Sequence, residues 1–376
     1  MIKLLIVDDS ALMRRQLTQL FEAEGDYLIR QARNGAEAVD ECRRFEPDVV
    51  TLDINMPEMD GITALSLIMA ERPVPVVMVS SLTEKGALAT FEALNLGAVD
   101  YVAKPGGTIS LTLDQVRVDL LAKVRAAAKA KVGRSRAAQP MRPSAARTSS
   151  GGTAVGLAQR LREERLAASE AAAAEAAEAG RGKADVQGLL LIGVSTGGPR
   201  ALEEVLPSLP ANFPWPVLVA QHMPASFTAP FAARLDGVCP LAVVEVNRPM
   251  SLQAGTIYVG KGGADMVVTR RDGQLTALPK PESREHLWHP SVELLARSAL
   301  ECVPARHIVG VMLTGMGYDG ADGFTAIKQG GGRTIAESED TAVVFGMPAE
   351  LIERGGASLV LPLGRVGSQL RAWIAR

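Results

Sequence analysis

Cysteine, net charge and long apolar runs are all scarce in this sequence. The three cysteines, Cys42, Cys239 and Cys302, are odd in number and far apart, which excludes a disulfide framework and a CxxC metal site. The 40 Lys+Arg against 42 Asp+Glu give a formal net charge of -2, which argues against a nucleic-acid binder. No apolar run approaches the ~18 residues of a membrane helix, and the acidic pair at 8–9 interrupts any signal-peptide core. We therefore expect no nucleic-acid partner, no membrane insertion and a reducing cytoplasmic location.

The 376 residues suffice for two domains, and the apolar runs predict where each lies. Over residues 1–130, five β-rich runs alternate with amphipathic stretches, which predicts a doubly wound, flavodoxin-like parallel sheet. Residues 131–187 lack an apolar period and become Ala/Glu-rich, which is typical of a linker. A second strand–helix series over 188–376 predicts a larger parallel α/β domain. Within it, residues 256–278 predict an inserted antiparallel hairpin with its turn at 271–273.

Polar residues stand where the strands of the first predicted sheet end: Asp8 and Asp9 after the first, Asp53 on the third, Ser80 on the fourth and Lys104 after the fifth. Parallel strands end at one edge, so three carboxylates should converge there, and a hard divalent cation would relieve their repulsion. A hydroxyl and an ammonium beside them can hold a phosphoryl group. A strand-end Asp or Ser alone is more often a helix cap, so the prediction depends on all five together.

The motifs IVDDS, LDINMPEMDG, VMVSS and VAKP, in this order and spacing, resemble the response-regulator receiver domain over residues 1 to 128. The resemblance implies that Asp53 accepts a phosphoryl group. It also implies a Mg²⁺ ion bound by Asp8, Asp9, Asp53 and the backbone carbonyl of Asn55.

The receiver resemblance assigns roles to three further residues. Ser80 and Lys104 would contact the phosphoryl group, and Tyr101 would be the aromatic residue that changes rotamer on activation. Ordinary packing is the alternative role for Tyr101.

The segment 193–197, Gly-Val-Ser-Thr-Gly, follows an apolar strand and precedes a predicted helix, which matches the GxSxG nucleophile turn in its required context. Small residues flank Ser195 because a sharp turn leaves little room, and the helix N-terminus offers N–H groups to a developing oxyanion. A phosphate-binding turn or a simple packing turn is the alternative.

A serine nucleophile needs a base, and the chain has only four histidines. His222 ends the strand after the one that leads to Ser195, so we expect both at the same edge. His307 begins its strand and should lie at the opposite edge. His286 and His289 precede a helix, where capping or solvent exposure is expected. His222 is therefore the predicted base.

An orienting carboxylate should complete the triad at this edge. Asp319 follows the strand HIVGVML and is the first choice, and Asp322, three residues later, is the second. The order Ser, His, Asp differs from the Ser, Asp, His of the α/β-hydrolases, which predicts a separate hydrolase architecture.

The motifs IGVSTGGP, VAQHMP and MLTGMGYDGADG together resemble the catalytic domain of the CheB family of chemotaxis receptor methylesterases. The resemblance runs from about residue 189 to the C-terminus. It implies that Ser195 is the nucleophile, His222 the base and Asp319 the orienting acid. Thr196 and the backbone of Met316 would help to form the active-site floor and oxyanion hole.

The two resemblances together imply a phosphorylation-regulated hydrolase. It would demethylate glutamate methyl esters, and deamidate glutamines, on the cytoplasmic helices of methyl-accepting chemoreceptors, and a chemotaxis histidine kinase would phosphorylate it. Mg²⁺ would serve the receiver, and the hydrolytic step would need no cofactor. One departure stands out: the family commonly has His-Arg-Pro where this chain has Trp288-His289-Pro290, which leaves the substrate contacts of that loop open.

Three alternative functions compete with this one. A signalling scaffold with an inactive esterase site is opposed by the complete set Ser195, His222 and Asp319. A DNA-binding response regulator is disfavoured because no helix-turn-helix pattern follows the receiver. A small-molecule serine esterase stays open, since a sequence does not define the substrate pocket.

Overall fold

The computed structural model describes residues 1–80, 84–104, 111–130 and 186–374. The predicted linker at 131–187 lies outside these ranges except for its last two residues. The backbone of Ser80 is described, whereas its side chain lies outside the described part.

Within the described residues, the N-terminal domain alternates five strands with five helices. In chain order these are β1 Ile2–Val7, α1 Ala11–Glu22, β2 Tyr27–Ala32, α2 Gly35–Phe45, β3 Val49–Asp53, α3 Gly61–Glu71, β4 Val76–Ser80, α4 Glu84–Leu96, β5 Asp100–Ala103 and α5 Leu111–Ala127. The strands pair in parallel in the order β2-β1-β3-β4-β5, which confirms the predicted fold. The chain moves to opposite sides of β1 to form β2 and β3, so the ends of β1 and β3 meet at the switch point where ligand groups collect.

N-cap residues in the sequence mark the start of three helices of this domain. Ser10, Asn34 and Asp60 each precede a helix and accept a hydrogen bond from the backbone N–H three residues later. Strand β3 is buried along its whole length, as expected for a central strand covered on both faces.

The C-terminal domain is a second parallel sheet with a smaller antiparallel one. In chain order its elements are β6 Leu189–Val194, α6 Gly198–Val205, a 3₁₀ turn Leu206–Ser208, β7 Val217–Gln221, α7 Ala225–Asp236, β8 Ala242–Val246, β9 Met250–Ser251, β10 Thr256–Gly260, β11 Ala264–Arg271, β12 Gln274–Pro281, α8 Val292–Cys302, a 3₁₀ turn Ala305–His307, β13 Ile308–Met312, α9 Ala321–Gln329, β14 Arg333–Glu337, α10 Met347–Glu353, β15 Leu359–Leu361 and α11 Leu363–Ile374. The seven-stranded sheet has the order β15-β14-β13-β6-β7-β10-β8, with all neighbours parallel.

The antiparallel insertion is smaller than predicted. Strands β11 and β12 form the hairpin, with β9 as a third strand, and its turn has positive φ at Asp272 and Gly273. Strand β10, which the sequence prediction included in the hairpin, instead pairs in parallel with β7 and β8. That part of the prediction was wrong because the sequence of a short β-rich run does not show which of two sheets it joins. In the structure β10 is buried on both faces, as a central strand of the parallel sheet.

No helix within the described ranges combines the length and apolar character that a membrane span needs.

Candidate active site

Ser195 lies in a tight turn between β6 and α6. A Cβ at Gly193 would come within 2.4 Å of the Val292 side chain, and Gly197 has φ +79°, so both glycines are required by the backbone path. The N–H of Ser195 donates to the carbonyl of Thr314 at 3.0 Å, which ties the turn to the neighbouring strand end. Ser195 is 9% exposed. The turn therefore has the geometry expected of a GxSxG elbow.

The predicted triad residues follow three adjacent strands. In the order β13-β6-β7, Ser195 follows the middle strand, His222 follows β7 and Asp319 lies in the loop after β13. The N–H of His222 donates to the carbonyl of Val194 at 3.1 Å, which continues the pairing of β6 and β7 up to the site. Strand topology alone therefore brings the three residues to one edge of the sheet.

His222 is oriented by Asp319. Its Nε2 lies 2.9 Å from Oδ2 of Asp319, whereas its Nδ1 is buried and has no hydrogen-bond partner among the described residues. With Nε2–H donating to the carboxylate, Nδ1 carries the free lone pair and can act as the base. This reverses the nitrogens of the serine-protease triad, in which the aspartate binds Nδ1. In this conformation Nδ1 does not yet bond to the Ser195 hydroxyl, and such bonds often form only with substrate.

Asp319 is held at the N-terminus of α8. It accepts hydrogen bonds from the N–H of Val292 at 2.7 Å, the N–H of Glu293 at 3.0 Å and the hydroxyl of Ser291 at 3.0 Å. Burial raises the pKa of Asp319, but the hydrogen bond from His222 and the N–H donors outweigh burial and lower the pKa overall. Asp319 is therefore built to stay ionised beside the imidazole.

Asp322, the second choice for the orienting acid, pairs with a residue outside the predicted triad. Asp322 is on α9, is 64% exposed at its side chain and pairs with Arg354 at 3.0 Å.

The other histidines are placed away from the base position. His307 precedes β13, at the opposite edge of the sheet, as predicted. His289 pairs through Nδ1 with the buried carboxylate of Asp265 at 2.9 Å. The sequence prediction of capping or exposure missed this partner, because Asp265 is 24 residues away on the hairpin.

Two backbone N–H groups in the loops around Ser195 are candidates for binding an oxyanion. Among the described residues, the N–H groups of Thr196 and Met316 donate to no acceptor, whereas their neighbours Ser195 and Gly315 are both engaged. The hydroxyl of Thr314 donates to the carbonyl of Thr196 at 2.9 Å and fixes this part of the turn. Unpaired donors fixed beside a nucleophile are what oxyanion stabilisation requires.

The predicted acidic cluster forms at the carboxyl edge of the N-terminal sheet. Ligand atoms of Asp8, Asp9 and Asp53 lie within 4.8 Å of one another. Lys104 contacts Oδ2 of Asp8 at 2.9 Å and Oδ2 of Asp53 at 2.7 Å, so its ammonium already offsets part of the repulsion between these carboxylates. Burial raises the pKa of Asp53 despite the opposing effect of Lys104. Asn55 is exposed beside the cluster, and its N–H donates to Asp53 at 3.4 Å.

The two domains meet beside Ser195. The hydroxyl of Thr196 donates to Oδ2 of Asp100, at the start of β5, at 2.6 Å. Asp100 also pairs with Lys123 of α5 at 3.6 Å, and Lys123 pairs with Asp119 at 3.3 Å. Burial raises the pKa of Asp100, although Lys123 and Thr196 oppose it. A buried, charge-assisted contact therefore ends on the residue that follows Ser195.

Aromatic rings extend this interface along α4 and α7. Phe91 meets Phe227 at 6.1 Å and Phe231 at 5.3 Å between ring centroids. Tyr101 stacks on Phe227 at 4.7 Å, with ring planes 14° apart. These rings belong to one hydrophobic cluster that runs through both domains. Tyr101 is thus a packing residue of the interface in this conformation, and burial raises its pKa well above the usual value.

Comparison with known proteins shows which families this chain resembles. The family model described as CheB methylesterase matches residues 190–370, and the response regulator receiver domain model matches residues 4–113. A protein-glutamate methylesterase/protein-glutamine glutaminase of Rhodospirillum rubrum is 52% identical, covering 100% of this chain and 97% of the relative. A protein of the same description from Rhodopseudomonas palustris is 52% identical, covering 99% and 98%. The crystal structure of the Thermotoga maritima CheB methylesterase catalytic domain is 37% identical, covers 49% of this chain and 96% of that chain, and has a TM-score of 0.47.

Proposed function

Because the chain belongs to the CheB methylesterase family and carries a response-regulator receiver domain, we propose that it is a phosphorylation-regulated protein-glutamate methylesterase and protein-glutamine glutaminase. Its substrates are glutamate methyl esters and glutamines on the cytoplasmic helices of methyl-accepting chemoreceptors. The observation that carries the proposal is the set of Ser195, His222 and Asp319 on three adjacent strand ends, with the imidazole already bonded to its carboxylate. The named relatives give no support to an inactive scaffold or a small-molecule esterase.

Hydrolysis begins with attack of Ser195 Oγ on the ester carbonyl while Nδ1 of His222 takes the serine proton. Asp319 keeps the imidazole in the tautomer that leaves Nδ1 free and stabilises the imidazolium. The N–H groups of Thr196 and Met316 donate hydrogen bonds to the negatively charged oxygen of the tetrahedral intermediate. The proton then passes from Nδ1 to the departing methoxide, which leaves as methanol.

The acyl-enzyme on Ser195 is resolved by water. Nδ1 of His222 takes a proton from the water, the new oxygen bonds to the acyl carbon, and the serine oxygen leaves with the proton, which gives a free glutamate side chain. With a glutamine substrate the first leaving group is ammonia instead of methanol. The same residues therefore carry both reactions.

The acidic cluster of the receiver domain is proposed as the phosphorylation site, with Asp53 as the acceptor and a chemotaxis histidine kinase as donor. Asp8, Asp9, Asp53 and the carbonyl of Asn55 would hold Mg²⁺, and the group of oxygen ligands within 4.8 Å suits a hard cation. When bound, the ion neutralises negative charge during phosphoryl transfer.

Ser80 and Lys104 would contact the phosphoryl group. Lys104 is bound to Asp53 before phosphorylation, so a phosphoryl group would compete for its ammonium. Tyr101, stacked on Phe227, would report that change to the interface by altering its rotamer.

The contact of Asp100 with Thr196 supports inhibition of the unphosphorylated enzyme by its own receiver. Substrate helices must reach Ser195, and the receiver bonds to the adjacent residue. Phosphorylation would weaken this intramolecular contact and shift the population to an open state. In this proposal the receiver spans 1–130, a linker 131–187 and the catalytic domain 188–376, and the protein works in the cytoplasm, where receptor helices and kinase are present.

The proposal is tested by mass spectrometry of methylated receptor cytoplasmic fragments. The full chain with a small phosphodonor and Mg²⁺ should convert glutamate methyl esters to glutamate, and Ser195→Ala should not. Ser368→Ala, which removes an exposed hydroxyl of α11, is the matched control and should keep wild-type activity. Demethylation by folded Ser195→Ala would contradict the assignment.

A further inference from the structure

Trp288 lies directly against the proposed base. Its indole stacks on the imidazole of His222 with the ring planes 7° apart and the centroids at 5.9 Å. On the loop that carries Asp319, a Cβ at Gly317 would come within 2.6 Å of the indole. The ring of Tyr318 meets the indole at 5.2 Å and 88°. Neighbours on more than one side thus fix the orientation of the indole.

The backbone around Trp288 is anchored to a single buried carboxylate. Asp265 accepts from the N–H of Ser283 at 2.9 Å, the N–H of Ser291 at 2.8 Å and Nδ1 of His289 at 2.9 Å. The segment is therefore tied before and after Trp288. This anchoring allows an aromatic side chain to hold a fixed position over the imidazole.

The imidazole becomes a cation during the reaction, when Nδ1 accepts the serine proton. A cation within about 6 Å of an indole centroid is stabilised by the negative face of the ring, more so when water is excluded. The side chain of His222 is only 8% exposed. Asp319 is the charged group that contacts this ring among the described residues. Asp265 and His289 pair with each other and reach Asp319 only through Ser291.

We propose that Trp288 is a positioning residue of the hydrolytic reaction, whose indole fixes the plane of His222 and stabilises the imidazolium that forms on proton transfer. The inference rests on the proposed function for its catalytic meaning. The interaction itself, in which the indole face stabilises protonated His222, can be measured without any substrate.

The decisive test is an NMR titration of the full chain with isotope-labelled histidine. The four histidines give few ring signals, and His222→Gln identifies the signal of interest. Trp288→Leu keeps an apolar cover but removes the indole face, so the titration midpoint of the His222 signal should fall by about half to one pH unit. Trp288→Phe, which retains a smaller aromatic face, should lie between wild type and Trp288→Leu.

A matched control separates this effect from the loss of any tryptophan. Trp373 lies on α11 beneath Arg333, and Trp373→Leu should leave the His222 midpoint unchanged. A midpoint that is unchanged or higher in Trp288→Leu, or a Trp288→Phe variant no different from Trp288→Leu, overturns the proposal.

Kinetic measurements test whether the same interaction contributes to the reaction. For demethylation by the phosphodonor-activated chain, Trp288→Leu should lower kcat about fivefold to tenfold with little change in KM, and should shift the acid limb of the kcat/KM profile with the NMR midpoint. An effect on KM alone with an unshifted acid limb would make Trp288 a substrate contact and refute the positioning role. If the wild type fails to demethylate receptors, the proposed function fails, while the NMR titration still decides the interaction of Trp288 with His222.

Discussion

The hydroxyl of Thr196 donates a hydrogen bond of 2.6 Å to the buried carboxylate of Asp100, which joins the residue after the nucleophile to the receiver domain. The two residues are 96 positions apart in the chain: Asp100 starts a strand of the N-terminal sheet, and Thr196 lies in the turn after β6 of the other sheet. Asp100 begins the strand that carries Tyr101, so this contact lies directly beside the proposed switch residue.

Weakening this contact should activate the unphosphorylated enzyme. Asp100→Asn replaces a charge-assisted hydrogen bond by a neutral one, which is worth about 1 kcal/mol less, so basal demethylation should rise about fivefold. Asp119→Asn is the matched control, since Asp119 also pairs with Lys123 but makes no contact with Thr196. The initial rate without phosphodonor is the measurement. A rise of the same size in both variants would indicate loosening around Lys123 instead of loss of the contact.

The orienting role of Asp319 is tested by its amide. Asp319→Asn cannot hold the imidazole with Nδ1 unprotonated, and kcat should fall about 10³-fold to 10⁴-fold in the phosphodonor-activated enzyme. Asp322→Asn, on the adjacent helix and paired with Arg354, should stay within about twofold of wild type. A greater loss in the Asp322 variant would show that the wrong acid was chosen.

Phosphorylation should depend on Asp53 and on a divalent cation. Labelling of the full chain by a radioactive small phosphodonor should require Mg²⁺, vanish with chelator and be absent in Asp53→Asn. Asp60→Asn is a suitable control, because Asp60 only caps α3. Label retained on the Asp53 variant would locate the acceptor at another residue.

Glu337 should make the stability of the C-terminal domain fall with rising pH. It is fully buried, its carboxylate accepts from the N–H of Thr314 at 2.8 Å, and burial raises its pKa to about 7. Between its ordinary value of 4.5 and about 7 the folded state binds one more proton than the unfolded state at this group. The stabilising contribution of Glu337 is therefore complete at low pH and is lost as pH rises through this range, by roughly 3 kcal/mol. Glu337→Gln should flatten the decline in Tm from pH 5 to 8. Exposed Glu353→Gln should not, and equal slopes in wild type and Glu337→Gln would contradict the assignment.

The strand ends were predictable from the sequence because the parallel α/β fold fixes where they meet. Apolar runs located β1 and β3, which brings Asp8 and Asp53 together, and the same logic placed His222 beside Ser195. Local residue types therefore sufficed to predict which of these residues lie together at each sheet edge. The sequence did not predict which ring nitrogen of His222 faces Asp319, since that depends on the direction from which Asp319 approaches.

Contacts between distant segments of ordinary composition could not be predicted from the sequence. Nothing in the sequence distinguishes Asp100 or Phe227 from other buried residues, and only the contacts of Asp100 with Thr196 and of Phe227 with Tyr101 give them an interface role. Trp288 was noticed as a departure from the family pattern, but its stacking on His222 requires the path of a loop tied to Asp265. Pairings of this kind are set by tertiary structure and have no local periodicity.

The most direct test of a receiver-controlled methylesterase is the initial rate of methyl loss from methylated receptor fragments, measured for the full chain with Mg²⁺ before and after adding a small phosphodonor. Phosphorylation at Asp53 should raise the rate at least severalfold, and Asp53→Asn should remain at the basal rate under both conditions. Equal rates for wild type with and without phosphodonor, in protein shown to be phosphorylated, would contradict the account, because the contact of the receiver with Thr196 would then not control access to Ser195.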